Sequence, residues 1–226
     1  MKLNSSSILI IYTGGTIGMV HDPQSDSLVP FNFDHIQNQV PELERLASNI
    51  NTIAFDPLVD SSEVSPEMWI RIAEIIEENY LLYDGFVVLH GTDTMAYSAS
   101  ALSFLLSYLN KPVIFTGSQL PIGMIRTDGR ENLITAIEIA GARINGKAAV
   151  PEVSVYFENK LLRGNRTTKY STEHFNAFDS PNYNPLAEAG VDIKYNHNQI
   201  LYPTVRRNLE AAKQMDQNIA VMKIFP

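Results

Sequence analysis

The chain has 226 residues, 45% of them hydrophobic, enough to bury a full core as one large or one-and-a-half domains. Its formal charge of -8 argues against nucleic acid or an anionic membrane as the main partner. It has no cysteine, which excludes disulfides, thiolate nucleophiles and Cys-bound zinc.

Met1 to Ser7 lacks a signal-peptide core. The longest apolar stretch, Met95 to Leu109, is broken by serines and too short to cross a bilayer, so a soluble intracellular protein is expected. Ile8 to Ile11 is solidly apolar and reads as a strand buried on both faces, as a parallel sheet requires. It runs into Gly14-Gly15 and then Thr16, a hydroxyl beyond the carboxyl end of a strand, where open α/β sheets bind ligands. Neither common phosphate-cradle spacing can be read through these glycines. Met19 to Pro30 is dense in turn formers and reads as a surface loop, with a lid and an ordinary exposed hairpin both open.

Phe33 to Val40 reads as a short helix and Asn51 to Phe55 as a strand. Asp56 to Glu63 is a loop carrying Asp60, Ser61 and Ser62, and Ser65-Pro66 opens a helix with Trp69, Ile72, Ala73, Ile76 and Tyr80 inward. Gly85 to Leu89 is another buried strand, leading into His90-Gly91-Thr92-Asp93-Thr94 and a helix expected over Met95 to Leu109. That places Thr92 and Asp93 at a helix N-terminus, where free N–H groups would stabilise an anion or a developing oxyanion. His90 by itself reads as a hydrogen-bonded core histidine. Pro112 to Thr116 is a strand ending in Gly117-Ser118-Gln119, and Asp128 caps a helix expected to run to about Ile144. Glu152 to Phe157 is the next strand. Arg163, Arg166 and Lys169 put three cations within seven residues, a solvated loop in the plainest reading. Val191 to Tyr202 holds two short strand-like pieces, Arg206 to Met215 a linker or short helix, and Ile219 to Phe225 a buried strand.

The strand ends thus carry Thr16, Ser61, Ser62, Thr92 and Asp93, with Lys169 on a later loop. Amide hydrolysis needs a nucleophile, a base and donors for the oxyanion. A threonine hydroxyl is weak until a base takes its proton, and a lysine serves if its pKa is lowered. Asp93 could also pair with a substrate ammonium, while Ser61 and Ser62 hold its α-carboxylate.

Tyr12-Thr13-Gly14-Gly15-Thr16-Ile17-Gly18-Met19 and Asp84 to Tyr97, with Pro57 to Ser62 between them and Arg163 to Lys169 after them, resemble the bacterial-type L-asparaginases. The likeness is greatest to the cytoplasmic type I branch. The resemblance implies hydrolysis of L-asparagine to L-aspartate and ammonia without metal or cofactor. By similarity, Thr16 forms an acyl-enzyme, and Thr92, Asp93 and Lys169 make the second catalytic group. Asp60, Ser61, Ser62, Thr92 and Asp93 would bind substrate, and the Ser118 backbone would meet the leaving amide. The implied fold is the N-terminal α/β domain, a mostly parallel sheet flanked by helices, of a two-domain subunit that forms homodimers or homotetramers when full-length.

Two departures stand out. The family's tyrosine in the loop beside the nucleophile falls at Leu28, which has no hydroxyl to relay a proton. The C-terminal domain is expected to be absent: residues 1–202 form the N-terminal domain, 203–218 a linker and 219–226 the first strand of a truncated second domain, and a chain so cut is expected to fold but to hydrolyse asparagine poorly or not at all by itself. The competing readings are a glutamine-hydrolysing subunit of a tRNA-dependent amidotransferase and a non-catalytic amino-acid-binding module.

Overall fold

The computed structural model describes residues 6–22, 26–30, 40–46, 49–205, 207–222 and 224. Its centre is an eight-stranded sheet built from β1 (Ser7–Tyr12), β2 (Asn49–Ala54), β3 (Gly85–Leu89), β4 (Val113–Thr116), β5 (Val153–Phe157), β6 (Lys160–Arg163), β7 (Ala187–Ala189) and β8 (Ile193–Tyr195). The spatial order is β8-β7-β6-β5-β4-β3-β1-β2. β2, β1, β3, β4 and β5 run parallel, and β6, β7 and β8 continue the sheet antiparallel.

Three helices cover it: α1 (Pro66–Asn79), α2 (Met95–Leu105) and α3 (Gly129–Gly141). Successive residues of a strand face opposite sides, and the strands use both sides. Leu9, Ile11, Phe86, Val88, Val113 and Phe115 pack with α1 and α2, whereas Ile8, Ile10, Tyr12, Val87, Leu89 and Ile114 pack with α3. This two-sided burial is why β1, β3 and β4 read as unbroken apolar runs.

Several boundaries differ from the sequence expectation. α2 stops at Leu105, because Leu106–Ser107 leaves the helix to pair antiparallel with Glu210–Ala211, and Ala212 N–H donates to Leu105 O at 2.8 Å. The expected linker therefore contributes a strand of its own. α3 stops at Gly141 and the chain turns back as a hairpin, Arg143–Ile144 against Lys147–Ala148, with positive φ at Asn145 and Gly146. Only one of the two pieces expected over Val191 to Tyr202 forms a strand, β8. Met19–Asp22 and Ser27–Pro30 pair as a hairpin, the plainer of the two readings of that loop.

The stretch around Arg163 is not a solvated loop. Arg163 ends β6, is 8% exposed, and makes a two-pronged ion pair with Glu152 at 2.6 and 3.1 Å. Residues 219–222 and 224 form no strand; Ile219, Val221, Met222 and Ile224 are exposed, since among the described residues no neighbouring strand covers them. The helix expected over Phe33 to Val40 lies almost wholly outside the described residues, as does the side chain of Leu28.

Candidate active site

The strand order β2-β1-β3-β4 reverses direction between β1 and β3, since β1 connects onward to β2 on one side and β3 continues on the other. A crevice opens at the carboxyl ends of strands at such a point. Here the ends are Thr13-Gly14-Gly15-Thr16 after β1 and His90-Gly91-Thr92-Asp93 after β3.

Two glycines bring these loops into backbone contact. Gly14 has φ +136, and a Cβ on it would lie 2.2 Å from the Val59 carbonyl oxygen. Gly15 has φ +93, and its Cβ would lie 2.6 Å from both N and Cα of Gly91. Neither conformation nor either approach is open to a residue with a side chain. Hydrogen bonds fix the same contacts: Thr13 N–H donates to Leu89 O at 3.0 Å and Val59 N–H to Thr13 O at 2.8 Å. The Thr94 hydroxyl donates to Ser61 O at 2.6 Å, tying the third loop to the second.

Thr16 starts a single 3-10 turn, Thr16–Gly18, and is half-buried. Asp60 precedes a second such turn, Ser61–Glu63, and its Oδ1 accepts from Ser62 N–H at 2.8 Å and from the Ser62 hydroxyl at 2.7 Å. These bonds hold the Asp60 carboxyl below its usual range, so it is ionised at neutral pH. Asp60 and Ser62 are exposed, whereas Ser61 is buried.

Lys169, in the short strand Thr168–Lys169, reaches back across the chain. Its Nζ lies 2.8 Å from Thr92 Oγ1 and 2.8 Å from Asp93 Oδ1. The ammonium is 12% exposed and the carboxylate 64%, so the pair faces outward from the crevice wall. A cavity of about 450 Å³ opens beside it, between Asp93 and Tyr97 on one side and Thr168 to Thr172 on the other. Ser118 sits in the turn after β4 but is 2% exposed, with its hydroxyl donating to Leu120 O at 2.5 Å.

The structure therefore brings Thr92, Asp93 and Lys169 into direct contact, and joins the loops of Thr16, Asp60 and Ser61 to them through backbone. The Ser118 side chain is spent on its own turn. Two residues were not foreseen. Gln119 Oε1 accepts from Thr92 Oγ1 at 3.4 Å, while its Nε2 donates to His174 O at 3.2 Å. Asp128 does not cap α3 with its side chain; its carboxylate instead accepts from the N–H groups of Gln119 and Leu120. Burial raises its pKa against those same bonds. No sequence spacing signals either contact. Among the described residues no group of three or more His, Asp or Glu side chains could hold a metal ion, and no helix is long and apolar enough to cross a membrane.

Residues 7–201 match the family described as asparaginase, N-terminal. The chain belongs to the asparaginase family. L-asparaginase 1 of Escherichia coli K12 is 48% identical over 196 residues, covering 85% of this chain and 56% of that protein. The crystal structure of L-asparaginase I from Vibrio cholerae superposes with a TM-score of 0.84 at 41% identity, over 99% of this chain and 66% of that one. That of a probable cytoplasmic L-asparaginase from Campylobacter jejuni gives 0.74 at 29% identity, over 87% and 58%. The asparaginase-family chain thus spans about half the length of the curated relatives it matches. Its mostly parallel sheet with flanking helices is the fold of the N-terminal asparaginase domain.

Proposed function

We propose that this chain is the catalytic N-terminal domain of a cytoplasmic L-asparaginase. The observation that carries the reading is the contact of Lys169 Nζ with both Thr92 and Asp93, each at 2.8 Å, in a turn whose Gly91 packs on Gly15. L-asparagine enters with its α-carboxylate toward the Asp60-Ser61-Ser62 turn and its ammonium on Asp93. Its carboxamide then faces Thr16, and backbone N–H groups at the start of α2 face the developing oxyanion.

Thr16 Oγ1 attacks the amide carbon. The hydroxyl proton ends on the departing nitrogen, ammonia leaves, and an aspartyl ester remains. Water then attacks the ester, returns a proton to Thr16 and frees L-aspartate. Thr92 and Lys169 serve the proton transfers of this second step. At rest Lys169 is the donor in both of its contacts, since an ammonium has no acceptor. A substrate ammonium arriving at Asp93 shares that carboxylate with Lys169. Leu28 supplies no hydroxyl, so the first proton passes through water.

A first domain over 1–202, a connecting segment over 203–218 and the start of a second domain from 219 are part of the same proposal, as is assembly into homodimers or homotetramers. The exposed side chains of Ile219, Val221 and Met222 support it, since a second domain would give them a partner. Ammonia release from L-asparagine, measured against Thr16→Ala, tests the function. Loss of turnover with an unchanged melting curve is expected, and wild-type rates from Thr16→Ala would reject the nucleophile. Asparagine binding without turnover, read by calorimetry, would favour a non-catalytic module, and faster hydrolysis of glutamine would favour an amidotransferase subunit.

A further inference from the structure

His90 is 1% exposed at the end of β3, and both ring nitrogens are engaged. Nδ1 lies 2.7 Å from the Gly91 carbonyl oxygen and Nε2 lies 2.9 Å from Ser98 Oγ. Ser98 is fully buried on α2, and its Oγ accepts from Trp69 Nε1 of α1 at 2.8 Å. The direction of each bond follows by elimination. A carbonyl only accepts, so Nδ1 must donate to Gly91 O and carries the ring proton. On the neutral ring Nε2 then accepts from the Ser98 hydroxyl, whose oxygen still has a lone pair for the Trp69 indole N–H. The tautomer is assigned by this network, outward from the Gly91 carbonyl.

The chain of bonds ends on a consequential peptide. The Gly91 carbonyl and the Thr92 N–H belong to one planar trans unit and point in opposite directions. Holding the carbonyl toward the buried ring turns the Thr92 N–H away from it. It also fixes where the Thr92 side chain leaves the backbone, and Thr92 Oγ1 is the atom that Lys169 contacts. Burial keeps the imidazole neutral by lowering its pKa to about 4, so one ring nitrogen stays free to accept.

We propose that His90 is a positioning residue for the catalytic turn, an imidazole braced from behind by Ser98 and Trp69 whose Nδ1–H holds the Gly91 carbonyl and so orients the Gly91–Thr92 peptide. The proposal rests on Thr92 belonging to the catalytic set. It assigns a task to three residues that do not touch substrate, and it spans both helices on that face of the sheet.

Nitrogen-15 spectra of the histidines in the 226-residue chain read the tautomer directly. Wild type is expected to carry its His90 proton on Nδ1. Trp69→Phe keeps an aromatic ring but removes the donor that orders Ser98. It is expected to keep the proton on Nδ1 while loosening the ring, to shift the Thr92 amide resonance, and to lower kcat roughly tenfold with little change in KM. Ser98→Ala should behave alike. His90→Asn can still donate to Gly91 O and should retain more turnover than His90→Gln, whose amide reaches toward Ser98 instead; melting curves check that each variant folds. A wild-type proton on Nε2 would overturn the proposal. So would a Trp69→Phe chain with an unmoved Thr92 amide, or equal kcat for the Asn and Gln variants in the chain extended through a second domain. If that extended chain, wild type included, did not turn over asparagine, the asparaginase reading would fall, while the tautomer and amide shift would still decide the positioning.

Discussion

Lys169 Nζ stands 2.8 Å from Thr92 Oγ1, closing a gap of 77 residues in the chain. The contact joins the turn after β3, in the parallel part of the sheet, to the short strand Thr168–Lys169 that follows β6.

Lys169→Met should leave stability nearly unchanged. The partner carboxylate is 64% exposed, and such a pair contributes about 0–1 kcal/mol. Turnover should fall by a factor on the order of 10²–10⁴, the usual worth of a positioned proton-transfer group. Ammonia release beside a thermal melt checks both. A variant that melts many degrees lower yet still hydrolyses asparagine would assign Lys169 a structural task instead.

Gly14→Ala should damage fold and site together. Its Cβ would sit 2.2 Å from Val59 O at φ +136. Backbone strain alone costs about 1–3 kcal/mol, or roughly 2–4 °C of Tm per kcal/mol for a chain of this size. Relief requires the Val59 to Ser62 loop to move, so KM for asparagine should rise as Tm drops. An unchanged KM would show that this loop does not hold substrate.

Arg163→Met should cost about 3–5 kcal/mol, the usual penalty for leaving one member of a buried pair. Arg163 and Glu152 side chains are each 10% exposed, and Glu152 Oε1 also accepts from Leu201 N–H at 2.6 Å. Urea unfolding measures the loss. A change below about 1 kcal/mol would mean the pair is wetter than its geometry indicates.

His90 makes stability depend on pH. Burial lowers its pKa from 6.5 to about 4. As pH falls, the unfolded chain therefore takes up this proton before the folded chain does. The stabilisation is complete above about pH 6.5 and is lost as pH falls toward about 4, by up to roughly 3 kcal/mol. His90→Asn removes this contribution, so its stability should fall less steeply over that window than wild type's. Parallel curves would contradict a neutral, buried imidazole.

Much of this arrangement is legible in the sequence. Unbroken apolar runs at Ile8 to Ile11 and Gly85 to Leu89 indicate strands buried on both faces, and the hydroxyls after each mark the crevice. What is not legible depends on distant partners. α2 ends early because Glu210–Ala211 arrives to pair with Leu106–Ser107, a contact invisible to helical periodicity. Arg163 looks like one of three solvated cations until Glu152, just before the neighbouring strand β5, is brought within 2.6 Å of it. Asp128 looks like a cap, since Asp at a helix start usually is one, but the turn after β4 offers its carboxylate two amide donors. His90 reads as a core histidine and is buried, yet only the fold reveals which proton it holds.

That Thr16 carries the acyl group can be tested on the protein itself. Lys169→Met, extended through the second domain that its relatives' length implies, would be mixed with L-asparagine, quenched in acid and digested for mass spectrometry. An aspartyl ester on the peptide containing Thr16, absent from the Thr16→Ala, Lys169→Met double variant, is the expected result. An ester on Thr92, or ammonia released in a burst with no ester on any threonine, would contradict it.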